Sequence, residues 1–231
     1  EVFRQPQLAQ TLRALQKGGR AAFYEGAIGQ AIAEYVHSIG GALTLADLAG
    51  HRADWVTPIS TSYRGHTILE CPPNSQGLTA LLTLNILSGY DLAAAAREPA
   101  SYYHLLIEAT KLAFADRDRY VADPTRSPVP VTALLAPRYA ESRRQGIRSE
   151  TALPLASPGE LQSGDTTYVA VVDKDRNVVS YIGSLFMMFG SGVVAGKTGI
   201  LLQDRGAGFS LDPQHPNRLE PGKRPLHTTI P

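Results

Sequence analysis

Cysteine is all but missing from this chain: 231 residues contain one, Cys71. That excludes an intrachain disulfide and any metal cluster built on thiolates. Cys71 itself is expected to act as a small buried apolar residue. Net charge is nearly absent too, at +1, which argues against nucleic acid or an anionic membrane as an electrostatic partner. No apolar stretch reaches the roughly 18 residues of a membrane-spanning helix. The six histidines, His37, His51, His66, His104, His215 and His227, include no pair at i, i+4, so a zinc site is unsupported. Asp116, Asp118 and Asp123 alternate with Arg117, Arg119 and Arg126, a pattern expected of a solvated ion-pair network rather than metal ligands. No metal and no cofactor is therefore expected. Internal repeats and low-complexity tracts are also lacking, as are an initiator Met and a signal-peptide layout at Glu1–Pro6.

What is present is enough apolar material, 43% of residues, for a sizeable core in one large or two small domains. Leu8, Leu12 and Leu15 follow Pro6 at helical spacing, and Gly18-Gly19 is expected to close that helix. Phe23 to Ile39 carries a second apolar stripe, stopped by Gly40-Gly41. Thr44 to Asp47 has the form of a capping box. Trp55 to Cys71 reads as strand interrupted at Gly65, followed by a turn over Pro72-Pro73-Asn74-Ser75-Gln76-Gly77 and a helix from Leu78 to Leu87. Ser101 is expected to cap a long helix ending at Tyr120, with another helix over Ala136–Gln145. Thr167–Val172 and Val178–Ile182 should form a hairpin around Lys174–Asn177, and Ile200-Leu201-Leu202 a third short strand. Helices early and strands late predict an α+β fold with helices on a largely antiparallel sheet.

The segment Gly164-Asp165-Thr166-Thr167-Tyr168-Val169 sets two threonines at the mouth of an apolar strand, after a loop rich in Ser, Pro and Gly. Threonine there is ordinary β-propensity. It acquires chemistry if the chain is cut before Thr166. The freed α-amine, with a pKa of roughly 7.7–8.0, can then act as base for the hydroxyl of the same residue. The stretch Gly190-x-Gly192-x-x-x-Gly196 is not a nucleotide loop, since its spacing is off and it leads into strand rather than helix.

The run from Thr166 through Ser180 resembles the start of the small subunit of γ-glutamyltransferases. So does Phe189 through Leu202, in order and spacing, while Pro221-Gly222-Lys223-Arg224-Pro225-Leu226 resembles a later loop of that family and His104–Tyr120 the last long helix of its large subunit. The resemblance implies a four-layer αββα sandwich of the N-terminal-nucleophile hydrolase type, of which this chain would be a fragment. Residues 1–165 would be the end of the large subunit and 166–231 the start of the small one, in one folded domain. It implies a precursor cut between Asp165 and Thr166 into a heterodimer, leaving further dimerisation open, and a small-molecule amide as substrate. Thr166 takes the position of the nucleophile. Ser184 falls where the family has a hydroxyl that orients it.

Departures from the pattern bear on the acyl donor. Phe186 stands where transpeptidases carry asparagine. Arg205 replaces a Gln or Glu, and Gly208 replaces the aspartate that holds the γ-glutamyl ammonium. His227 and Thr228 replace adjacent serines that bind its carboxylate, yet both can still donate hydrogen bonds. A cation at Arg205 repels an ammonium and suits a carboxylate. The expected activity is thus an amidohydrolase or acyltransferase whose donor lacks the α-amino group, glutaryl-type or oxamate-like. A true γ-glutamyltransferase is one alternative, and a non-catalytic binding homologue another. The arginine that grips the substrate carboxylate is expected upstream of Glu1, and the oxyanion glycines downstream of Pro231. The cytoplasm is the expected compartment, with the periplasm or secretion as the alternative.

Overall fold

The computed structural model describes residues 2–153 and 166–228. They form two compact units. One holds residues 2–55, Thr166 and 183–204; the other holds 56–153, 167–182 and 205–228.

In the first unit, α1 (Pro6–Tyr24) begins with proline in its first turn, where the missing N–H costs nothing. It does not end at Gly18-Gly19 as the sequence suggests. Gly19 takes φ 55°, ψ −149° and kinks the helix, which resumes and carries Phe23 onto the core formed by α2 (Ala27–Ser38). That core gathers Ile28, Ile32 and Ala195 under Tyr35, Val36, Leu43, Ile200 and Leu202. The Gly40-Gly41 stop is as expected: the N–H groups of Gly40 and Gly41 bond the carbonyls of His37 and Val36 at 3.0 and 2.8 Å. Thr44 and Asp47 form the full capping box of α3 (Leu45–Gly50). Thr11, inside α1, donates to the carbonyl of Thr198 at 2.7 Å. Beside it Gly199, at φ 70°, lies so close to Leu8 that a Cβ would stand 2.5 Å from the Leu8 nitrogen. The third strand expected at Ile200–Leu202 reduces to one antiparallel bridge, Val194 with Leu201, because the chain around it turns on glycines instead of extending.

In the second unit β1 (Ile59–Tyr63) and β2 (His66–Glu70) form an antiparallel hairpin, with Tyr63 opposite His66 across the Arg64-Gly65 turn. Next come α4 (Gly77–Leu87), α5 (Leu92–Ala95), α6 (Pro99–Tyr120), α7 (Val131–Leu134) and α8 (Pro137–Arg144). Leu78, Leu82, Ala113, Val121 and Leu134 make one buried cluster, and Ile86, Leu87 and Ala109 another. The α6 helix starts at Pro99, two residues before the Ser101 cap predicted from sequence. Ser101 instead lies in the first turn and donates to Glu98 at 2.9 Å.

β3 (Thr166–Val172) and β4 (Val178–Ser184) pair as expected, closed where the Asp173 N–H bonds the Asn177 carbonyl at 3.1 Å. Val169, Val171, Val172, Val178, Val179 and Tyr181 are exposed. No helix of the described residues is long and apolar enough to cross a membrane.

Three side-chain expectations are corrected. Cys71 is exposed, since it leaves the end of β2 at the hairpin's edge. Asp116 and Asp123 are buried, at 4% and 1% exposure, and so are not part of a solvated network. Each is compensated from a distance: Asp116 by Tyr139 at 2.8 Å and Arg143 at 3.1 Å, Asp123 by Arg224. Among the described residues no group of three or more His, Cys, Asp or Glu is gathered to hold a metal.

Candidate active site

Thr166 is the first residue of β3 and Ser184 the last of β4. The strands, seven residues each, fold back at Asp173–Asn177, so both positions fall at the open end of the hairpin. Asp165, the other side of the expected cut, and the loop over 156–164 lie outside the described residues.

The Ser184 hydroxyl oxygen accepts the N–H of Phe186 at 2.9 Å, a local turn that fixes its rotamer. The turn has a conformational cost, for Phe186 sits at φ 84°, a region sparsely used by bulky residues. The following residues are zipped to Asp204: its N–H donates to the Leu185 carbonyl at 3.1 Å, and its carboxylate accepts the Met187 N–H at 3.1 Å.

The four residues expected to bind substrate, Arg205, Gly208, His227 and Thr228, all belong to the second unit. Arg205 and Gly208 are the ends of a 3₁₀ turn. In that geometry positions three apart eclipse, so the two share a face. Arg205 is 9% exposed and is held by contacts within the protein. A Cβ placed on Gly208 would meet the Leu226 carbonyl oxygen at 3.7 Å, an ordinary contact.

Asn217 ties this turn to the 226–228 segment. It is buried at 3% exposure; its amide nitrogen donates to the Gly208 carbonyl at 2.7 Å, and its amide oxygen accepts the Leu226 N–H at 3.1 Å. The other edge of the segment runs along the turn before α4. The His227 N–H bonds the Asn74 carbonyl at 2.8 Å, the Gln76 N–H bonds the His227 carbonyl at 2.9 Å, and Asn74 donates to the Pro225 carbonyl at 2.7 Å. Gln76 donates to the Thr228 carbonyl at 2.5 Å and accepts from Arg117 at 3.0 Å. Arg117 is in turn fixed on α6, over the Phe114 ring and paired with Asp118 at 2.7 Å.

At the root of the loop, Arg224 binds Asp123 through its backbone N–H and guanidinium. Burial alone raises the Asp123 carboxyl, but bonds from Arg224 and Thr125 outweigh it and hold it well below the usual carboxylate range. Burial of Asp116 prevails over its bonds to Tyr139 and Arg143, and its carboxyl is pushed up. Asn74, Gln76 and Asn217 escaped the sequence reading. The first two fall within the turn over 72–77, and a lone neutral amide carries neither periodicity nor charge to mark it.

Comparison with solved structures defines the class. Cephalosporin acylase from Bacillus halodurans superposes with a TM-score of 0.90 at 44% identity, covering 100% of this chain and 41% of the acylase. The α+β fold is therefore that of the corresponding part of an N-terminal-nucleophile hydrolase. The chain belongs to the γ-glutamyltranspeptidase family, whose model matches residues 1–231. It is 46% identical over 233 residues to the glutathione hydrolase-like YwrD proenzyme of Bacillus subtilis, covering 100% of this chain and 43% of that protein. To the oxamate amidohydrolase proenzyme of Klebsiella pneumoniae it is 41% identical over 229 residues, covering 99% and 43% respectively. The chain thus spans less than half the length of the relatives it matches.

Proposed function

We propose that this chain is part of a self-processing amidohydrolase whose acyl donor ends in a carboxylate and lacks the γ-glutamyl α-amino group. The observation that carries this reading is the shared face of Arg205 and Gly208, joined by Asn217 to the segment bearing His227 and Thr228. A γ-glutamyl ammonium beside Arg205 would meet a like charge, with no counter-charge at Gly208. A planar guanidinium matches a carboxylate with two parallel hydrogen bonds. The name of the Klebsiella relative, an oxamate amidohydrolase, and the acylase likeness favour the same class of donor.

In the proposed sequence Thr166 acts twice. Its hydroxyl attacks the Asp165 carbonyl carbon and displaces its own nitrogen, giving an ester. Water hydrolyses that ester, leaving the Asp165 carboxylate and a free Thr166 amine. The amine then takes the hydroxyl proton as Oγ attacks the substrate amide; the proton passes to the departing amine, and water or another amine resolves the acyl-enzyme. Ser184 orients the nucleophile. Relatives named proenzymes support a precursor giving residues up to Asp165 in a large chain and those from Thr166 in a small one, acting together as a heterodimer.

Purified full-length protein should yield two chains by intact mass, the smaller starting Thr-Thr-Tyr-Val on N-terminal sequencing. It should cleave glutaryl-p-nitroanilide faster than γ-glutamyl-p-nitroanilide. A γ-glutamyl preference would make it a conventional γ-glutamyltransferase. A single chain that stays uncut on incubation would favour a binding homologue.

A further inference from the structure

We infer that Gln76 is a positioning residue for carboxylate recognition. The inference rests on the proposed reading of the 226–228 segment as the substrate's polar end. Gln76 reaches that segment by two bonds and is anchored by a third: its N–H bonds the His227 carbonyl at 2.9 Å, its side-chain amide donates to the Thr228 carbonyl at 2.5 Å, and the same amide accepts from Arg117 of α6 at 3.0 Å.

The chemistry of the amide explains why the residue must be glutamine. Its oxygen can only accept and its NH₂ can only donate. Arg117, a pure donor, therefore fixes which end faces Thr228, and the Thr228 carbonyl receives the donor end. With both neighbouring carbonyls engaged, the peptides of 227 and 228 cannot rotate, and the side chains they carry are held for one geometry of ligand. Because both ends of the amide are engaged, one by the Thr228 carbonyl and one by Arg117, Gln76 acts through the segment it holds. Glutamate of the same length would keep the bond from Arg117 and turn an acceptor toward the Thr228 carbonyl, which repels it. Methionine would fill the space and lose both bonds.

Two variants of the full-length protein, Gln76→Met and Gln76→Glu, test this, with glutarate and the uncharged analogue butyramide as binding probes in calorimetry. Kinetics on glutaryl- and butyryl-p-nitroanilide accompany them. A misplaced binding segment costs about tenfold or more, so both variants should bind glutarate about tenfold more weakly. KM for the glutaryl anilide should rise in proportion with kcat within twofold, while the butyryl anilide is unaffected and the melting temperature falls by no more than a few degrees, Gln76 being only half-buried. Equal losses on both anilides together with a lowered melting temperature would make Gln76 merely structural and overturn the inference. So would unchanged glutarate affinity. If the wild-type protein itself binds no glutarate, the reading of the segment fails, and this role falls with it. Wild-type binding with unaltered variants isolates the failure to Gln76.

Discussion

Asp123 and Arg224, 101 residues apart, meet through three bonds: the Arg224 backbone N–H at 2.9 Å, Nε at 3.3 Å and Nη2 at 3.1 Å. The carboxylate is 1% exposed, while the guanidinium is half open to solvent. A charge buried on one side only is compensated by hydrogen bonds more than by Coulomb attraction, and the backbone N–H is the part no lysine or arginine substitution elsewhere could supply. This pair fixes the loop that leads to His227.

Replacing Asp123 by asparagine should cost about 2 kcal/mol, less than for a fully buried pair because Arg224 is partly solvated. The pH dependence has a definite sign. The folded carboxyl is held below its unfolded value, so its stabilisation is present above about pH 4 and is lost as pH falls below that. Urea midpoints between pH 5 and pH 2.5 should fall less steeply for Asp123→Asn than for the parent protein; parallel curves would refute the linkage.

Asn217 holds the Gly208 turn to Leu226 with its two amide ends. Asn217→Asp places an acceptor against the Gly208 carbonyl, and Asn217→Ala leaves both backbone groups unpaired in a buried place. Each should lower stability by about 2 kcal/mol. Both should weaken glutarate binding more than the stability loss explains, as calorimetry well below the melting temperature would show. Undiminished affinity in a destabilised variant would mean that the two segments keep their geometry without Asn217.

Phe189 offers a contrary case. It is 71% exposed and takes φ 59°, so its ring contributes little burial while its backbone lies in a left-handed region disfavoured by about 1–2 kcal/mol. Asparagine tolerates that region. Phe189→Asn should raise the melting temperature by about 2–4 °C per kcal/mol gained. A fall would show that the ring packs against something that outweighs the strain.

Local features were legible in the sequence wherever the causing residues are neighbours. The Thr44–Asp47 capping box, the Gly40-Gly41 stop and the hairpin around Lys174–Asn177 all depend on contacts within a few positions. What escaped depends on partners far along the chain. Gly18-Gly19 looks like a helix end until Phe23 is seen packing with Ile28 and Ile32, which draws the helix onward. Asp116 and Asp123 look like surface charges until Arg143 and Arg224 arrive from other elements. The candidate site divides the same way. Arg205, Gly208, His227 and Thr228 stood out through a family likeness, whereas Gln76, Asn74 and Asn217 act on backbone groups that a linear reading cannot place.

The selectivity attributed to Arg205 and Gly208 can be inverted. Gly208 has no positive φ, and a Cβ there would meet only the Leu226 carbonyl oxygen at a comfortable 3.7 Å, so Gly208→Asp should fold. Alone it would set a carboxylate on the same face as Arg205, and the two would pair. That consumes the cation a carboxylate-ended donor needs while leaving no free anion for an ammonium. Glutaryl turnover should therefore drop by about tenfold or more with little gain for the γ-glutamyl donor. Adding Arg205→Gln releases the new carboxylate, and the double variant should then raise the ratio of γ-glutamyl to glutaryl kcat/KM by at least about a hundredfold, roughly the effect of exchanging a like charge for an opposite one near a protein surface. The order of effects matters more than their size. If Gly208→Asp alone already favours the γ-glutamyl donor, Arg205 does not face it. A ratio unmoved by both substitutions would mean that the acyl end is read elsewhere.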